Sequence, residues 1–395
     1  MIAPFSLARL PRIEFGAGSL ARVPALAAAY GSRTLIVCGA RALQSTPHWQ
    51  HLLDGLRKHG LDWDVLHVGG EPSPQLVDAA VAQFRAGGFD VVVGIGGGSV
   101  LDAAKAIAGL LRVGDSVMDY LEGVGPEKPY RGPATPFIAI PTTAGTGSEA
   151  TKNAVLSQHG ADGFKKSFRD EKLVPEYAIV DPNLLASCPP ELIAANGMDA
   201  LTQLIESYVS LRANTFTDAL VISGLRAARD GLLPWYEGSG DQACARSRMA
   251  YAALISGIAL AQTGLGSVHG LAAPMGAFFP IPHGVVCGTL VASATRVNIA
   301  VLHAREPDNP ALAKYARLAE ILCERRIREP VAAYTALIER LEDWTERLRL
   351  PRLAHYRIAA ADIPRIVAHS RGSSMKTNPV VLTDEEIAQV LEARL

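Results

Sequence analysis

The stretch Phe89-Asp-Val-Val-Val-Gly-Ile-Gly-Gly-Gly-Ser-Val-Leu-Asp-Ala-Ala-Lys105 predicts a buried strand, a glycine turn and the first turns of a helix. The β-branched run Val91–Val93 is typical of a parallel strand that is covered on both faces. Gly96, Gly97 and Gly98 then carry no side chains, so a bulky anion could approach the backbone N–H groups directly. The sequence therefore predicts an anion site where this strand gives way to a helix.

The residues after the glycines strengthen this prediction. Ser99 is predicted to cap the helix, with Asp102 as the acidic partner of a capping box. The positive end of the helix would then face the glycines, where a phosphate or pyrophosphate binds well. The spacing fits neither the Gly-x-Gly-x-x-Gly fingerprint nor the Walker loop. A tight strand-to-helix connection without a ligand is the alternative interpretation.

Composition limits the class of protein. A chain of 395 residues is too long for one ordinary core, so two domains are expected. Acidic and basic residues nearly cancel, 39 against 38, which argues against a nucleic-acid partner or an anionic membrane surface. Neither a signal peptide nor a membrane-spanning window stands out. The scattered cysteines predict a reduced, cytoplasmic protein without a thiolate metal site; they are Cys38, Cys188, Cys244, Cys287 and Cys323.

Strand and helix patterns alternate in the first part of the chain. This alternation predicts right-handed crossovers and a parallel sheet, so residues 1–185 are interpreted as a doubly wound α/β domain. From Pro189 onward the pattern changes to long helices rich in alanine and leucine, and residues 186–395 are interpreted as an all-helical domain. The predicted strands are Arg33–Cys38, Asp62–Val68, Val91–Gly94 and Pro136–Pro141, a helix is predicted at Pro74–Ala86, and the character of the chain changes after Tyr177–Pro182.

A second polar loop, Thr142-Thr-Ala-Gly-Thr-Gly-Ser-Glu149, follows the strand that ends at Pro141. In open α/β sheets, ligands bind at the carboxyl ends of the strands, and both glycine loops would lie there. Two such loops on one edge favour a nucleotide. The alternative is a Ser/Thr-rich turn that leads into a short hairpin at Asn153–Gln158.

The turn after Cys38 bears on the choice of cofactor. An acidic residue in this region would hold the ribose hydroxyls of NAD and repel the 2′-phosphate of NADP. The sequence instead carries Gly39 and Arg41, with no acidic residue before Asp54. This favours NADP over NAD, although an arginine in a loop is also compatible with simple solvation.

Three separated segments of the helical part carry candidate metal ligands. Asp199 and Gln203 are four residues apart, which places both side chains on one helix face. His269 and His283 lie among small and apolar residues, where an imidazole without a partner would be costly. One carboxylate and two imidazoles could form a divalent-metal site with open positions. The alternative is that each histidine is a core residue bonded to backbone carbonyls.

Several motifs together resemble the iron-containing, or group III, alcohol dehydrogenases. These motifs are Gly96-Gly-Gly-Ser-Val-Leu-Asp-Ala-Ala-Lys105, Pro141-Thr-Thr-Ala-Gly-Thr-Gly-Ser-Glu149, Gly197-Met-Asp-Ala-Leu-Thr and Pro282-His-Gly284, with Asn378-Pro farther on. They occur in the order of the family and cover nearly the whole chain. The resemblance implies a dehydroquinate synthase-like fold with two domains, an α/β nucleotide-binding domain and a helical domain, and an active site in the cleft between them.

The resemblance also implies functional residues. Asp199, His269 and His283 match three metal ligands of the family, and Gly39 falls where NAD-preferring members carry an aspartate. The resemblance further implies a homodimer or larger homo-oligomer. The residues implied at the NAD(P) cofactor are Gly96, Gly97, Gly98, Ser99, Asp102, Thr142, Thr143 and Lys165.

The sequence departs from the family at two positions. The usual second ligand histidine is Gln203, and the active-site histidine four residues after His269 is Ala273. A glutamine amide is a weak ligand for a first-row transition metal, so metal affinity should fall. Related glycerol dehydrogenases nevertheless hold zinc with one aspartate and two histidines, whereas maleylacetate reductases work without a metal.

The expected reaction is reversible hydride transfer between nicotinamide and a small alcohol or aldehyde. Iron or zinc held by Asp199, His269 and His283, with Gln203 beside them, would act as a Lewis acid. Without a metal, His269 or His283 would have to donate the proton. The alternatives are a metal-independent reductase of maleylacetate type, a lyase or cyclase of dehydroquinate synthase type, and a nucleotide-binding protein without catalytic activity.

Overall fold

The computed structural model describes residues 2–40, 43–160 and 163–395. This part of the chain divides into two compact units. The first unit contains Ala8–Gln158 and Gly163–Cys188, and the second contains Pro189–Leu395 together with residues 2–7 and 159–160. Arg41, which contributed to the predicted NADP preference, lies outside the described residues.

A six-stranded, fully parallel sheet forms the centre of the first unit. The strands of this unit are β1 (Arg12–Phe15), β2 (Arg33–Gly39), β3 (Asp62–Val68), β4 (Val91–Gly96), β5 (Phe137–Pro141), β6 (Asn153–Gln158), β7 (Phe164–Arg169) and β8 (Tyr177–Val180). The order across the sheet is β1-β8-β5-β4-β2-β3, while β6 and β7 form a separate antiparallel hairpin. The strands β2, β3, β4 and β5 agree with the predicted strands, whereas β1, β7 and β8 were not predicted. The segment Asn153–Gln158, where a short hairpin was the alternative expectation, is the single strand β6 of the hairpin.

Apolar cores cover both faces of this sheet. Leu35 and Val37 of β2 belong to one core, and Ile36 and Cys38 belong to the other. The alternation follows from the period of two along a strand. It explains why the central strands consist almost entirely of apolar residues, and it confirms the predicted α/β architecture. The helices of this unit are α1 (Val23–Ala28), α2 (Pro47–Lys58), α3 (Pro74–Phe84) and α4 (Gly98–Leu110).

The predicted capping of α4 was wrong. The helix begins at Gly98, and its N-cap is Gly97, which makes no side-chain capping bond. Ser99 is therefore already a helical residue, and Asp102 is not placed to cap it. The Asp102 carboxylate instead accepts a hydrogen bond of 2.6 Å from the Ser148 hydroxyl in the second polar loop. A contact between α4 and the second polar loop thus replaces the local contact that the sequence suggested.

The second unit is helical, and its described residues contain no strand, which confirms the predicted all-α part. Its helices are α5 (Pro190–Val209), α6 (Thr215–Tyr236), α7 (Gln242–Thr263), α8 (Ser267–Phe278), α9 (His283–Arg305), α10 (Pro310–Cys323), α11 (Pro330–Arg347), α12 (Ile363–Ala368) and α13 (Asp384–Glu392). The helix α5 is buried continuously from Gly197 to Val209. A helix that is covered on every side can carry polar groups only if they have partners.

The helix α9 is long and apolar enough to cross a membrane, with a mean hydropathy of 1.7 over its most apolar window. The window did not stand out in the sequence, because polar residues interrupt its apolar ones. Most of the window, 89 %, is buried inside the structure. The helices α7 and α8 pass the same test only as a pair bent by 100°. We interpret α9 as a core helix, since protein already covers its apolar sides.

The close approach of α9 to α5 generates a prediction about stability. A Cβ atom at Gly284 would lie 2.4 Å from the carbonyl oxygen of Ala195, and a backbone atom cannot turn aside as a side chain can. We expect Gly284→Ala to lower the free energy of unfolding by about 1–3 kcal/mol in urea denaturation. The control is Gly372→Ala, whose Cβ would enter open space. Equal effects of the two substitutions would contradict this account.

Candidate functional site

Four side chains from α5, α8 and α9 converge in the helical unit. Asp199 Oδ1 lies 3.2 Å from Nε2 of His269 and 3.7 Å from Nε2 of His283. The Cys287 sulfur lies 3.5 Å from Nε2 of His269 and 3.8 Å from Nε2 of His283. One potential ligand atom from each of the four residues lies within 4.8 Å of all the others. The structure thus brings together the three predicted ligands and adds a thiol.

Cys287 was not among the predicted site residues, because the five cysteines have no close pairs and the sequence therefore predicted no thiolate metal site. The signal that could have found it is its position four residues after His283, which places both side chains on one face of α9. A metal site that combines different ligand types cannot be recognised from the spacing of the cysteines alone.

The Glu206 carboxylate fixes the orientation of His269. Its Oε2 lies 2.6 Å from Nδ1 of His269, and its Oε1 accepts a bond of 2.7 Å from the Val268 backbone N–H. Because a carboxylate accepts hydrogen bonds, Nδ1 carries the hydrogen that points to Glu206, and Nε2 is the ring nitrogen that faces Asp199. A carboxylate behind a histidine is the usual support of a metal ligand. Glu206 follows Asp199 by seven residues on α5, a spacing of about two turns that the sequence analysis overlooked.

The cluster carries a concentration of buried negative charge. Asp199 is fully buried, and its Oδ2 has no hydrogen-bond partner among the described residues. Burial by itself raises the pKa of Asp199, but the imidazoles of His283 and His269 outweigh it and hold that pKa below its ordinary value. Burial likewise acts to lower the pKa of His269, yet Cys287, Asp199 and Glu206 together hold it well above its ordinary value. These groups favour a positive charge between them, either a proton or a metal ion.

The donors in this cluster fit a divalent transition metal. Imidazole nitrogen, carboxylate oxygen and thiolate sulfur are all ligands of zinc, and iron accepts the same types. The Asp199 oxygen without a partner and the oriented Nε2 of His269 are the features expected of ligands arranged around a cation. Burial raises the pKa of the Cys287 thiol to about 12, so a metal would have to displace its proton.

The two positions that depart from the family have other surroundings. Gln203 lies one turn after Asp199 on α5, is buried, and accepts a hydrogen bond of 2.9 Å from Ser256 Oγ through its Oε1. Ala273 offers no donor atom. The role of Gln203 as a weak ligand stays a prediction. Its amide oxygen already accepts a hydrogen bond from the Ser256 hydroxyl of α7.

In the α/β unit, the two polar loops lie against each other at the carboxyl ends of β4 and β5. The Thr142 N–H donates to the Gly96 carbonyl over 2.9 Å. A Cβ atom at Gly98 would lie 2.7 Å from Thr146 Oγ1, and one at Gly96 would lie 2.6 Å from Val100. Protein packing therefore requires glycine at 96 and 98. Only at Gly97, where a Cβ would be 3.4 Å from Thr143, is the nearest contact close to ordinary.

The side chain of Lys105, which the sequence analysis did not consider, joins α4 to the second loop. Lys105 is fully buried. Its Nζ donates to the Ser148 carbonyl and hydroxyl oxygens over 2.8 and 3.0 Å, to Thr151 Oγ1 over 3.0 Å and to the Asn153 carbonyl over 2.8 Å. These contacts hold the loop in place with a charge that has no other route to solvation.

The remaining predicted cofactor residues lie at different places in the α/β unit. Gly39 ends β2, and its carbonyl accepts a bond of 3.1 Å from the Gln44 amide. Lys165 lies on the hairpin strand β7 and pairs with Glu71 over 2.6 Å. The carbonyl of Thr142 accepts a bond of 3.3 Å from the Cys188 thiol. The roles of these residues at a cofactor stay predictions.

Comparison with known families decides the assignment. The sequence model of iron-containing alcohol dehydrogenases matches residues 11–182, and the model of the C-terminal part of the same family matches residues 193–395. The chain belongs to the iron-containing alcohol dehydrogenase family. The resemblance found in the sequence motifs is thereby confirmed.

Individual relatives agree with the assignment of this chain to the family, and the identities that follow are those of this chain. It is 34 % identical to 1-propanol dehydrogenase of Salmonella typhimurium, over 82 % of this chain and 83 % of that protein. It is 31 % identical to the NAD-dependent methanol dehydrogenase of Bacillus methanolicus, over 98 % of both. The crystal structure of a 1,3-propanediol oxidoreductase has a TM-score of 0.89 and 28 % identity, with all of both chains covered.

The protein is therefore an NAD(P)-dependent oxidoreductase of the alcohol dehydrogenase class. It catalyses hydride transfer between nicotinamide and a small alcohol or aldehyde. The family implies a nicotinamide cofactor and iron or another divalent metal. These relatives do not favour a maleylacetate-type reductase, a lyase or cyclase, or a protein without catalytic activity.

The buried Lys105 generates a prediction about pH. Burial lowers its pKa from 10.5 to about 8, against the opposing pull of Asp102 and Glu149. Between these two pH values the unfolded chain binds more protons than the folded one, so this group makes the free energy of unfolding rise with pH. We expect Lys105→Met to remove that contribution. The free energy of unfolding of the wild type, minus that of the variant, should therefore increase from pH 8 to 10.5.

The measurement is urea denaturation of both proteins across this range. The control is Lys128→Met, which replaces a largely exposed lysine. A difference between wild type and Lys105→Met that stays constant with pH would contradict the assignment.

Proposed function

We propose that Asp199, His269 and His283 hold a divalent metal ion, iron or zinc, at the catalytic centre of this alcohol dehydrogenase. The observation that supports this proposal is the convergence of their donor atoms, with Asp199 Oδ1 3.2 and 3.7 Å from the two imidazole nitrogens. The buried Asp199 Oδ2, which has no hydrogen-bond partner among the residues that the structure describes, supports it as well.

When bound, the ion would supply Lewis-acid stabilisation for the negative charge that develops on the substrate oxygen during hydride transfer. The protein residues prepare the site for that charge. Glu206 holds His269 in one tautomer and one orientation, so the ring need not reorganise during the reaction. Asp199 and His269 are buried, which limits access of water and strengthens electrostatic interactions.

The substrates we propose are small primary alcohols and the corresponding aldehydes. The relatives named for 1-propanol, methanol and 1,3-propanediol support this class. The reaction is reversible, and the nicotinamide carries the hydride in both directions.

For the cofactor we propose that the enzyme accepts NADPH and prefers it to NADH. Gly39 ends β2 without a carboxylate, and its neighbour Gln44 is an uncharged amide. A 2′-phosphate would therefore meet no negative side chain at this position. The glycine loop from Gly96 to Gly98 is proposed to receive the pyrophosphate at the N-terminus of α4.

We further propose a cytoplasmic homodimer or larger homo-oligomer. The strand β1 is an edge strand of the parallel sheet, and it exposes Ile13 and Phe15. An edge strand with exposed apolar side chains is a surface on which a second copy could pack. Location in the cytoplasm is supported by the near-neutral charge balance and the free thiols.

Removal of the metal tests the main proposal. We expect dialysis against a chelator to abolish turnover, and Zn²⁺ or Fe²⁺ under anaerobic conditions to restore it. Asp199→Asn should bind less metal and turn over at least ~100-fold more slowly, because a buried ligand charge is lost. The control is Asp308→Asn, which replaces an exposed carboxylate. Full activity in a preparation verified as metal-free would refute the proposal.

The substitution Gly39→Asp tests the cofactor proposal. A Cβ at Gly39 would have its nearest contact at 3.9 Å, so the backbone accepts a side chain there. We expect kcat/KM with NADPH to fall at least ~10-fold, because a carboxylate would repel the 2′-phosphate, while kcat/KM with NADH is kept or rises. The two values are compared for wild type and variant at one alcohol concentration. A wild type that prefers NADH would show the proposed preference to be wrong.

A further inference from the structure

We propose that Cys287 is a fourth protein ligand of the metal ion, and that it takes over the coordination lost where Gln203 replaces a histidine. The inference rests on the proposed metal site at Asp199, His269 and His283. It assigns this enzyme a site with two imidazoles, one carboxylate and one thiolate.

The distances between donor atoms support this ligand set. Atoms that share a tetrahedral zinc ion are about 3.3 Å apart for a nitrogen and an oxygen, and about 3.6 Å apart for a nitrogen and a sulfur, as follows from the usual bond lengths. The corresponding distances from Asp199 Oδ1 are 3.2 and 3.7 Å, and those from Cys287 Sγ are 3.5 and 3.8 Å. The sulfur therefore occupies a position comparable to that of the carboxylate.

The packing of α9 explains how the thiol reaches the cluster. Cys287 lies between two glycines of α9, at positions 284 and 288, that face α5. A Cβ at Gly284 would lie 2.4 Å from the Ala195 carbonyl oxygen, and one at Gly288 would lie 2.7 Å from the Met198 Cβ. Because both positions lack a side chain, α9 approaches α5 closely, and Cys287 is brought to the helix that carries Asp199.

The chemistry of the cluster agrees with the geometry. His269 presents Nε2 to the cluster, where a metal would displace the proton of that nitrogen, and a thiolate and a carboxylate would together neutralise a divalent ion. An ion without net charge at its site is less costly to bury than a charged one. On binding, the metal–sulfur bond forms as the thiol S–H bond breaks, and the proton leaves to solvent.

The thiolate also bears on the choice of metal. Sulfur ligands favour zinc over harder cations such as Mg²⁺, whereas a site of carboxylate and imidazoles alone shows less discrimination. We therefore expect the enzyme to retain zinc in competition with Mg²⁺ and to lose part of that selectivity when the sulfur is removed.

Cobalt substitution of the full-length enzyme tests the ligand directly. Co²⁺ bound to a thiolate has a sulfur-to-metal charge-transfer band in the near ultraviolet, which nitrogen and oxygen ligands do not produce. We expect the wild type loaded with one equivalent of Co²⁺ to show this band. We expect Cys287→Ser to bind Co²⁺ at higher concentration and to lose the band.

The control is Cys244→Ser, which replaces an exposed cysteine and should keep both the band and the affinity. Circular dichroism and thermal melting of Cys287→Ser verify that it is folded, and Cys287→Ala serves as a second variant if it is not. Bound Co²⁺ without the band in the wild type, or a band that persists in Cys287→Ser, would overturn the assignment but leave the metal at Asp199, His269 and His283 intact. A wild type that binds no Co²⁺ or Zn²⁺ would overturn both.

Discussion

Burial of the Asp199 carboxylate is the constraint on which the helical unit depends. An ionised carboxylate that is removed from water must be balanced by positive charge and by hydrogen bonds. The two imidazoles provide the partners on one side, and Glu206 behind His269 fixes the direction in which the ring can respond. The same group of charges that is costly without a cation is favourable around one. The folded core of the helical unit therefore already favours a positive charge at the position of this cluster.

Close packing of backbones brings these charges together. The helix α9 reaches α5 because Gly284 and Gly288 leave no side chain in the contact. In the α/β unit, Gly96 and Gly98 do the same for the two polar loops, and Lys105 then ties α4 to the second loop through contacts with four oxygen atoms. In both units, glycine serves the approach of one segment to another. In both units, packing has thus shaped the place where an ion is proposed to bind.

The proposed exchange of a glutamine for a cysteine as the fourth ligand would be one way for a family to vary its chemistry within one fold. Position 203 carries an amide that is bonded to Ser256, while a thiol from another helix lies beside the same imidazoles. Replacing a neutral ligand with an anionic one changes the charge and the softness of the site together. Such a change alters metal preference and Lewis acidity without moving a helix.

The sequence by itself determined the α/β sheet, the helical second part, the two glycine loops, the family and three residues of the cluster around Asp199. These features depend on short-range periodicity and on motifs, and both can be recognised from the order of the residues alone. Only the tertiary structure decided that Ser99 does not cap α4, that Asp102 and Lys105 bind the second loop, and that Glu206 and Cys287 join the cluster. The physical reason is that these contacts depend on how closely separate segments approach one another, and the order of residues along the chain does not specify that distance.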